Sequence, residues 1–587
     1  MKTRLVNENF KSDYVANLLR SRGVENIEKY YEPTEDCLQC PVALKNIGEG
    51  AKLLEEAIKL NQKILIVVDC DCDGFTSATI MYNYLKDLAP ELEIDYVLHE
   101  GKAHGLQDHI KKLIDDGKNY GLIITPDASS NDYKYHEQLK EIGASVLVLD
   151  HHIVDTEISD NAVVINNQSS PDYKNKELTG AGVVYQFCRY LDWYFQSDNT
   201  NADKYIDLAA WGIIGDMGSM IEIENRYIAY KGMRNINNAL LWAFMEKQAY
   251  SITGIMNPSK QQLIDAMNPI SVAFYIVPLV NAMIRVGSMP EKIRLFEAFL
   301  DGDKMIPSGK RGAKGTLDKA GTEAARECSN ARNRQNKMLD DAIFKMEVKI
   351  TNNNLLDNKV LFCRLEEEDD FPSELNGLLA MKLSARYKKP TIVARKSPDG
   401  VNKGSMRGMN QSEMSSFKEF LEGSGLFTLV AGHDNAAGCW IPDKNLSSFH
   451  SYANEALAAV DFGENCYDVN FERIAADADI SELIMDIGSH SNLYGQGNSE
   501  PYIHITDINF SRQDVQIMGK GLDTVKIVKN GVAYMKFKAG DLIEELNKYK
   551  EIKMEVVGRA NINNWMGNIT PQIFIEDYEV SDGALGF

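Results

Sequence analysis

The sequence predicts an α/β protein with a doubly wound parallel sheet, followed by a long connecting helix, a smaller α/β domain and a C-terminal β-barrel. Between about residues 49 and 220, apolar β-branched runs alternate with amphipathic helices, which is typical of parallel sheets with right-handed crossovers. A shorter strand–helix–strand pattern lies between residues 360 and 394. From about residue 465 onward, short strands separated by turn residues predominate.

Composition limits the class of protein. The 587 residues suffice for several domains, and 44% hydrophobic with 25% charged residues is typical of soluble globular proteins. No apolar run approaches the roughly 20 residues that span a membrane, and no signal-peptide core follows Met1, so we expect a cytoplasmic protein that does not bind membranes. The net charge of −22 argues against nonspecific DNA binding by the surface as a whole.

The nine cysteines are scattered along the chain. Cys37 and Cys40 have zinc-like spacing, but no second pair follows them, so the sequence favours free thiols over a metal or redox site.

The most informative stretch is the apolar run 64–68 and the turn after it. The run predicts a buried strand, and it ends in three alternate aspartates, Asp69, Asp71 and Asp73, followed by Gly74. Carboxylates this close repel one another and are costly to desolvate. A hard divalent cation with oxygen ligands would relieve that repulsion. The alternative is a solvated acidic turn.

Two further predicted strands have the same design. The run 122–126 ends at Asp127, and the run 146–149 ends at Asp150, His151 and His152. Ligands of open parallel sheets bind at the carboxyl ends of the strands. We therefore expect four side chains to converge on one point: Asp71, Asp73, Asp127 and His151.

This order of motifs, completed by Gly215-Asp216, resembles the DHH phosphoesterase superfamily and, within it, the RecJ single-stranded-DNA exonucleases. The resemblance covers the chain from about residue 50 to its end. It implies a DHH catalytic domain over residues 49–305, after an N-terminal arm of residues 1–48. It also implies a site for two divalent ions, Mn²⁺ or Mg²⁺, in which Asp127 bridges the two ions. The five ligands would be Asp71, Asp73, Asp127, His151 and Asp216.

The resemblance assigns further roles around these ligands. His152 would contact the scissile phosphate, and Asp150 would hold an imidazole. Asp69 would be a further ligand or a carboxylate that tunes the site. Arg285 lies in a segment that resembles a RecJ segment near the active site, although Met283 and Ile284 depart from the family's usual Asn-Ala-Ala-Gly-Arg.

Two stretches leave alternatives open. The Gly-rich start of a helix at residues 179–183 could hold a phosphate or allow close packing against the sheet, and packing is favoured. The basic connecting helix, residues 306–348, with its helical core at 322–346, could be a plain connector or could line a channel for a nucleic-acid backbone.

Residues 349–464 resemble a DHHA1-type substrate domain through the segments 404–408 and 431–438. Arg407 with Ser405 would suit a terminal phosphate, because a guanidinium presents a fork of donors. His433 would touch a phosphate across the cleft. His99 stands where the family commonly has Arg, and His104-Gly105-Leu106 replaces part of its Gly-Tyr-Gly-Leu, so recognition of the 5′ end would be altered.

Residues 465–587 predict an OB-type barrel, since five or six short strands are interrupted by a helix at 541–549. Such barrels bind single strands by stacking bases on aromatic side chains beside basic groups. The candidates for nucleic-acid binding are Trp565, Lys536 and Arg559. Of Tyr534 and Phe537, strand alternation predicts that only one faces out.

The resemblance implies a metal-dependent exonuclease that hydrolyses phosphodiester bonds of single-stranded DNA from 5′ to 3′ in DNA repair or recombination. Since the sequence carries no clear oligomerisation signal, we expect a monomer. One alternative is a DHH phosphodiesterase of short oligonucleotides or cyclic dinucleotides, which would leave the barrel and the basic connector unexplained. The other is a catalytically silent DNA-binding relative, against which the intact ligand set argues.

Overall fold

A computed structural model describes residues 1–101, 104–116, 119–155, 158–313, 315–366, 369–519, 521–565 and 568–583. These residues form two compact units. Unit A comprises residues 24–335 and 492–499, and unit B comprises residues 1–23, 336–491 and 500–587. Lys314, a basic residue of the predicted connector, and the side chain of Trp565 lie outside the described part of the chain.

In chain order, the β-strands are β1 Lys2–Leu5, β2 Ile64–Val68, β3 Ile94–Leu98, β4 Leu122–Pro126, β5 Ser145–Asp150, β6 Val163–Asn166, β7 Met305–Pro307, β8 Leu317–Lys319, β9 Leu361–Leu365, β10 Thr391–Lys396, β11 Val401–Arg407, β12 Leu429–His433, β13 Ala436–Pro442, β14 Cys466–Val469, β15 Phe471–Ile474, β16 Tyr502–Ser511, β17 Val515–Met518, β18 Thr524–Lys529, β19 Val532–Lys536, β20 Glu551–Trp565 and β21 Asn568–Asp582.

The α-helices in chain order are α1 Tyr14–Ser21, α2 Ile27–Tyr31, α3 Ile47–Lys59, α4 Cys72–Leu88, α5 Ile110–Asp116, α6 Tyr133–Glu141, α7 Gly180–Phe195, α8 Ile206–Gly215, α9 Ile223–Gly232, α10 Ala239–Lys247, α11 Ala249–Thr253, α12 Lys260–Ala266, α13 Pro269–Ser271, α14 Val277–Val286, α15 Met289–Leu300, α16 Ala320–Asn352, α17 Asn376–Tyr387, α18 Phe417–Gly423, α19 Leu446–Ala456, α20 Ile480–Ser489 and α21 Gly540–Leu546. A π-helical turn, Val272–Ile276, joins α13 to α14.

Unit A is organised by a five-stranded sheet in the order β3-β2-β4-β5-β6, with every neighbouring pair parallel. All five residues of β2 are buried, and alternate residues enter opposite cores. Ile64 and Ile66 join the core that contains α4 and α7, whereas Leu65 and Val67 join the core that contains residues of α5 and α6. Helices thus cover both faces, and the predicted doubly wound sheet is confirmed.

One helical stretch of unit A, residues 269–286, has the length and composition of a membrane-spanning helix, with a mean hydropathy of 1.6. The expectation that no apolar run approaches the roughly 20 residues of a membrane span was therefore wrong. More than half of the stretch, 56%, is buried inside the structure, and core helices of soluble proteins pass the same test.

Within its described residues, unit B contains two large sheets and a two-stranded one, β1-β14. A mixed sheet has the order β12-β13-β11-β10-β9, and a seven-stranded sheet has the order β15-β16-β20-β21-β19-β18-β17. Helix α21 lies between β19 and β20, close to the helix predicted at 541–549. The first strand, β1, pairs in parallel with β14, so the chain's first residues belong to unit B. The predicted long connecting helix is α16, whose residues 320–335 belong to unit A and 336–352 to unit B.

Candidate metal centre

Three strands of the parallel sheet carry acidic side chains at one edge. Asp69 follows β2, Asp127 follows β4, and Asp150 ends β5. The edge is the carboxyl end of the sheet, as the sequence predicts. Asp71 caps α4, since its carboxylate accepts a hydrogen bond from the N–H of Gly74 at 3.0 Å.

Asp73 is held by the start of another helix. Its carboxylate accepts hydrogen bonds from the backbone N–H groups of Gly180 at 2.8 Å and Ala181 at 3.0 Å, the first residues of α7. A helix N-terminus carries partial positive charge and stabilises a carboxylate. These two N–H groups are therefore occupied by the protein itself, and packing, not phosphate binding, explains the Gly-rich start of α7.

Glycines allow the carboxylates to approach the backbone so closely. A Cβ on Gly180 would lie 2.2 Å from Oδ1 of Asp127, and a Cβ on Gly212 would lie 2.3 Å from Oδ1 of Asp73. No side chain fits at either position without displacing a candidate ligand.

Asp127 occupies the centre of the cluster in a strained conformation. Its φ of 65° lies in the left-handed region, which aspartate visits more readily than most residues. The side chain is buried, and Oδ1 has no hydrogen-bond partner among the residues that the structure describes. Nε2 of His151 lies 3.2 Å from this oxygen and 3.5 Å from Oδ2 of Asp216. An unpaired buried carboxylate oxygen is costly, so the position fits a ligand of a cation.

Four overlapping groups have ligand atoms within 4.8 Å of one another. The groups are Asp69–Asp71–Asp127, Asp73–His151–Asp216, Asp127–Asp150–His151–His152 and Asp69–Cys70–His104. The structure therefore brings together all five predicted ligands. Asp69, Asp127 and His151 each belong to two groups. Asp127 is the member shared by the group of Asp71 and a group of His151, which is where a bridging ligand would lie.

The electrostatics of the cluster fit divalent cations. Burial and the neighbouring carboxylates raise the pKa of Asp73 to about 7 and that of Asp216 to about 8, and they raise the pKa of Asp127 well above its usual value. Burial lowers the pKa of His151 to about 4, so its imidazole is neutral and able to act as a ligand at neutral pH. Positive charge among these oxygens would remove the repulsion, and oxygen-rich sets with imidazole suit Mn²⁺ or Mg²⁺.

The imidazole that Asp150 holds is that of His152. Nδ1 of His152 donates to Oδ1 of Asp150 at 2.7 Å, and the backbone N–H of Ser130 donates to Oδ2 at 2.9 Å. Burial by itself would raise the pKa of Asp150, but the hydrogen bond from His152 holds it below its usual value. Burial opposes the charge on His152, yet Asp150 raises the pKa of that imidazole to about 9.

Asp69 is paired in the same way, with a residue that sequence reasoning did not include in the site. Nδ1 of His104 lies 2.7 Å from Oδ2 of Asp69, and Sγ of Cys70 lies 3.8 Å from the same nitrogen. The hydrogen bonds to Asp69 and Cys70 raise the pKa of His104 to about 11. The signal was present in the sequence, because His104 follows β3, another strand of the same parallel sheet.

The remaining predicted phosphate contacts are divided between the two units. Arg285 lies on α14 of unit A, where burial lowers the pKa of its guanidinium and the nearby Asp71 opposes this shift. Ser405 and Arg407 lie on β11 and His433 ends β12, all in unit B, and their roles toward a phosphate stay predictions.

Two of the predicted nucleic-acid-binding residues already form hydrogen bonds or ion pairs within unit B. Nζ of Lys536 donates to the carbonyl oxygens of Ile575 and Glu576, and Arg559 contacts Glu500 at 3.2 Å and Tyr502. Tyr534 is fully buried, whereas Phe537 is 55% exposed, so one of the two aromatics faces out as predicted.

Four basic residues of the connector form ion pairs within unit A. Ion pairs join Lys310 to Asp318, Lys319 to Asp303, Arg326 to Glu323 and Arg334 to Glu291. These pairs favour the plain connector over a channel lining.

Comparison with known proteins agrees with this geometry. Family models for the DHH family, N-terminal domain, and for the RecJ OB domain match residues 63–213 and 475–577. A putative SPbeta prophage-derived single-strand DNA-specific exonuclease, YorK of Bacillus subtilis, is 33% identical over 99% of this chain and 98% of its own. The single-stranded-DNA-specific exonuclease RecJ of the same organism is 25% identical over 97% of this chain and 68% of its own.

Solved structures share the fold. RecJ of Thermus thermophilus in complex with Mn²⁺ aligns with a TM-score of 0.70 and 19% identity, covering 98% of this chain and 79% of that one. Its complex with Mg²⁺ aligns with a TM-score of 0.63 and 20% identity, covering 98% and 78%. Because a relative at 33% identity matches over nearly its full length and the acidic motifs converge as the family's motifs imply, the chain belongs to the RecJ-like single-strand-DNA-specific exonucleases of the DHH family.

Proposed function

We propose that this protein is a divalent-cation-dependent exonuclease that hydrolyses the phosphodiester bonds of single-stranded DNA from the 5′ end, in DNA repair or recombination. The observation that carries the proposal is the cluster around Asp127, where a buried carboxylate oxygen that accepts no hydrogen bond from the described residues lies among four further candidate ligands. The single-strand-specific exonucleases among its relatives support the substrate, and the Mn²⁺ and Mg²⁺ complexes of a structural neighbour support the cofactor.

Two ions would be held by Asp71, Asp73, Asp127, His151 and Asp216, with Asp127 shared between them. When bound, divalent cations supply Lewis-acid chemistry, polarising a phosphoryl oxygen and making water a better nucleophile. The protein provides the fixed geometry, because the N-terminus of α7 orients Asp73 and the left-handed backbone of residue 127 orients its carboxylate.

His152 would contact the scissile phosphate. Asp150 occupies its Nδ1, which leaves Nε2 for the substrate and favours the charged imidazolium. The imidazolium of His152 and the phosphate would then form a charge-assisted hydrogen bond, which is strong in a partly buried site.

Cleavage from the 5′ end would require a site for the terminal phosphate. Ser405 and Arg407, in unit B, are the residues proposed to bind it. His99, which replaces the family's usual Arg, would not take part. Its side chain is buried against His109, with ring centroids 4.4 Å apart, and burial lowers its pKa to about 3.

The test is digestion of single strands labelled at either end, with Mn²⁺, with Mg²⁺ and with EDTA. Release of labelled mononucleotide from the 5′ end first, only with a cation, is the expected result, and Asp127→Ala should abolish it while the exposed Asp172→Ala should not. Preferential cleavage of dinucleotides or cyclic dinucleotides would favour the small-substrate alternative. Full activity of Asp127→Ala would overturn the assignment of the site.

A further inference from the structure

Two histidines at the sheet edge are held in matching ways. Nδ1 of His104 lies 2.7 Å from a carboxylate oxygen of Asp69, as Nδ1 of His152 lies 2.7 Å from a carboxylate oxygen of Asp150. Both aspartates are 1% exposed, and the two imidazoles are 50% and 51% exposed. In each pair a buried carboxylate orients the ring through Nδ1. Nε2 of His104 lies 4.0 Å from Sγ of Cys70, a long contact to a weak acceptor that a phosphate oxygen can replace.

The two rings lie next to each other at the same edge. Their centroids are 6.5 Å apart, and His151, a candidate ligand, stacks against His152 at 4.5 Å. Hydrogen bonds between ring N–H groups and phosphate oxygens span about 2.7–3.2 Å. The space between His104 and His152 thus suits one phosphoryl group that accepts a hydrogen bond from each ring.

The two residues that follow His104 are held in place within unit A. Gly105 has a φ of 66°, and a Cβ there would lie 2.5 Å from Oδ2 of Asp132. The N–H of Leu106 donates to the same Asp132 oxygen at 2.9 Å, and the Leu106 side chain is fully buried. The N–H of Gly105 also lies 3.3 Å from Asp69. The imidazole of His104 is therefore positioned before substrate binds.

From this geometry we propose that His104 is a second substrate-contacting histidine, which together with His152 holds the phosphoryl group at the cleavage site. The proposal deepens the proposed function and rests on it for the nature of the substrate. It assigns a role to a position where the chain departs from the family's usual Gly-Tyr-Gly-Leu.

A metal ligand role for His104, with Asp69 and Cys70, fits the distances less well. Two ligands of one tetrahedral ion, each about 2.0–2.1 Å from it, lie roughly 3.3 Å apart. The 2.7 Å between Asp69 and His104 is instead the length of a hydrogen bond.

The experiment uses two substitutions that separate the two ring nitrogens. In His104→Asn, the amide nitrogen can replace Nδ1 and keep the contact with Asp69, but nothing replaces Nε2. In His104→Gln, the longer side chain offers an N–H near the position of Nε2. Asp108→Asn, an exposed position on the same loop, is the matched control.

The first measurement is the affinity of the full-length protein, loaded with Mn²⁺, for thymidine 5′-monophosphate by calorimetry. We expect His104→Asn to weaken binding about 10-fold or more, as the loss of a hydrogen bond to a charged group implies, and His104→Gln and Asp108→Asn to weaken it much less. This measurement does not require exonuclease activity. A wild type without nuclease activity would contradict the proposed function, and the binding data would still test the role of His104.

The second measurement compares cleavage of a normal oligonucleotide with that of one carrying a single phosphorothioate diastereomer. If His104 touches a non-bridging oxygen, one diastereomer should show a smaller thio effect in His104→Asn than in the wild type. A structural role would slow both substrates equally. The proposal fails if His104→Asn binds the monophosphate as the wild type does, if all thio effects are unchanged, or if the variant loses Mn²⁺ in elemental analysis.

Discussion

The carboxylate of Asp73 and the backbone of Gly180 are hydrogen-bonded at 2.8 Å, which places the start of α7 directly against the acidic turn after β2. The contact joins two segments 107 residues apart in the chain. It also brings Gly180 against Asp127, so one glycine determines the spacing of two candidate ligands.

Gly180→Ala should therefore disable the metal centre while leaving the fold intact. The new Cβ would lie 2.2 Å from Oδ1 of Asp127, and that carboxylate must move. We expect at least about a 100-fold loss of nuclease activity, comparable with losing one preorganised group of an active site, together with weaker Mn²⁺ binding. Gly182→Ala is the control, since the atoms nearest to its Cβ belong to the side chain of Leu178 and not to a candidate ligand. Equal activity of the two variants would contradict the crowding of Asp127.

Asp127→Asn should stabilise the metal-free protein and destabilise its metal-bound form relative to the wild type. The substitution removes one of several repelling buried carboxylates, and one that burial already disfavours. In EDTA we expect a thermal midpoint higher by about 2–4 °C, corresponding to about 1 kcal/mol for a unit of this size. With Mn²⁺ the order should reverse, because cation binding stabilises the wild type by mass action. A lower thermal midpoint of the variant in EDTA would show that repulsion between the carboxylates does not destabilise the metal-free protein.

Asp207 should make stability depend on pH away from the metal centre. Its buried carboxylate accepts hydrogen bonds from the backbone of Asn237 and Asn238, both at 2.7 Å, and burial raises its pKa to about 6. The unfolded value is about 4. Between these values the folded protein binds the extra proton, so stability falls as the pH rises from about 4 to about 6 and is level above.

Asp207→Asn removes this titration. Between pH 4 and pH 7 the wild type should lose about 2 kcal/mol of unfolding free energy relative to the variant, at 1.36 kcal/mol per pKa unit. Denaturant midpoints of both proteins across this range provide the measurement. Asp198→Asn, at an exposed position, should show no such change. A difference that is independent of pH would mean that Asp207 titrates normally.

Phe537→Ala should weaken binding to long single strands more than cleavage of very short ones. The ring is 55% exposed beside Phe574, at a centroid distance of 5.5 Å, and offers a face for base stacking. Stacking of one base is worth about 1–3 kcal/mol, or about 5- to 150-fold in affinity. Fluorescence anisotropy with oligonucleotides of increasing length measures the loss. Ile474→Ala, exposed on the edge strand β15, is the control, and equal effects of both variants would remove Phe537 from the binding surface.

Much of the site was predictable because it depends on strand ends. An apolar run that ends in an acid identifies both the strand and the edge at which its side chain emerges, and this rule located Asp71, Asp73, Asp127 and His151. Asp216 and the roles of Asp150 and His152 came only from resemblance to a family. His104 was missed because its motif departs from that family.

The amino-acid sequence by itself determined the alternation of strands and helices, the doubly wound sheet and the acidic edge, since these depend on local periodicity and on the burial of apolar runs. Only the tertiary structure decided which nitrogen meets which oxygen. Asp150 holds His152, Asp69 holds His104, and the N-terminus of α7 holds Asp73. Such pairings depend on distances of a few tenths of an ångström between segments far apart in the chain, which packing of the whole sheet sets and local sequence does not encode.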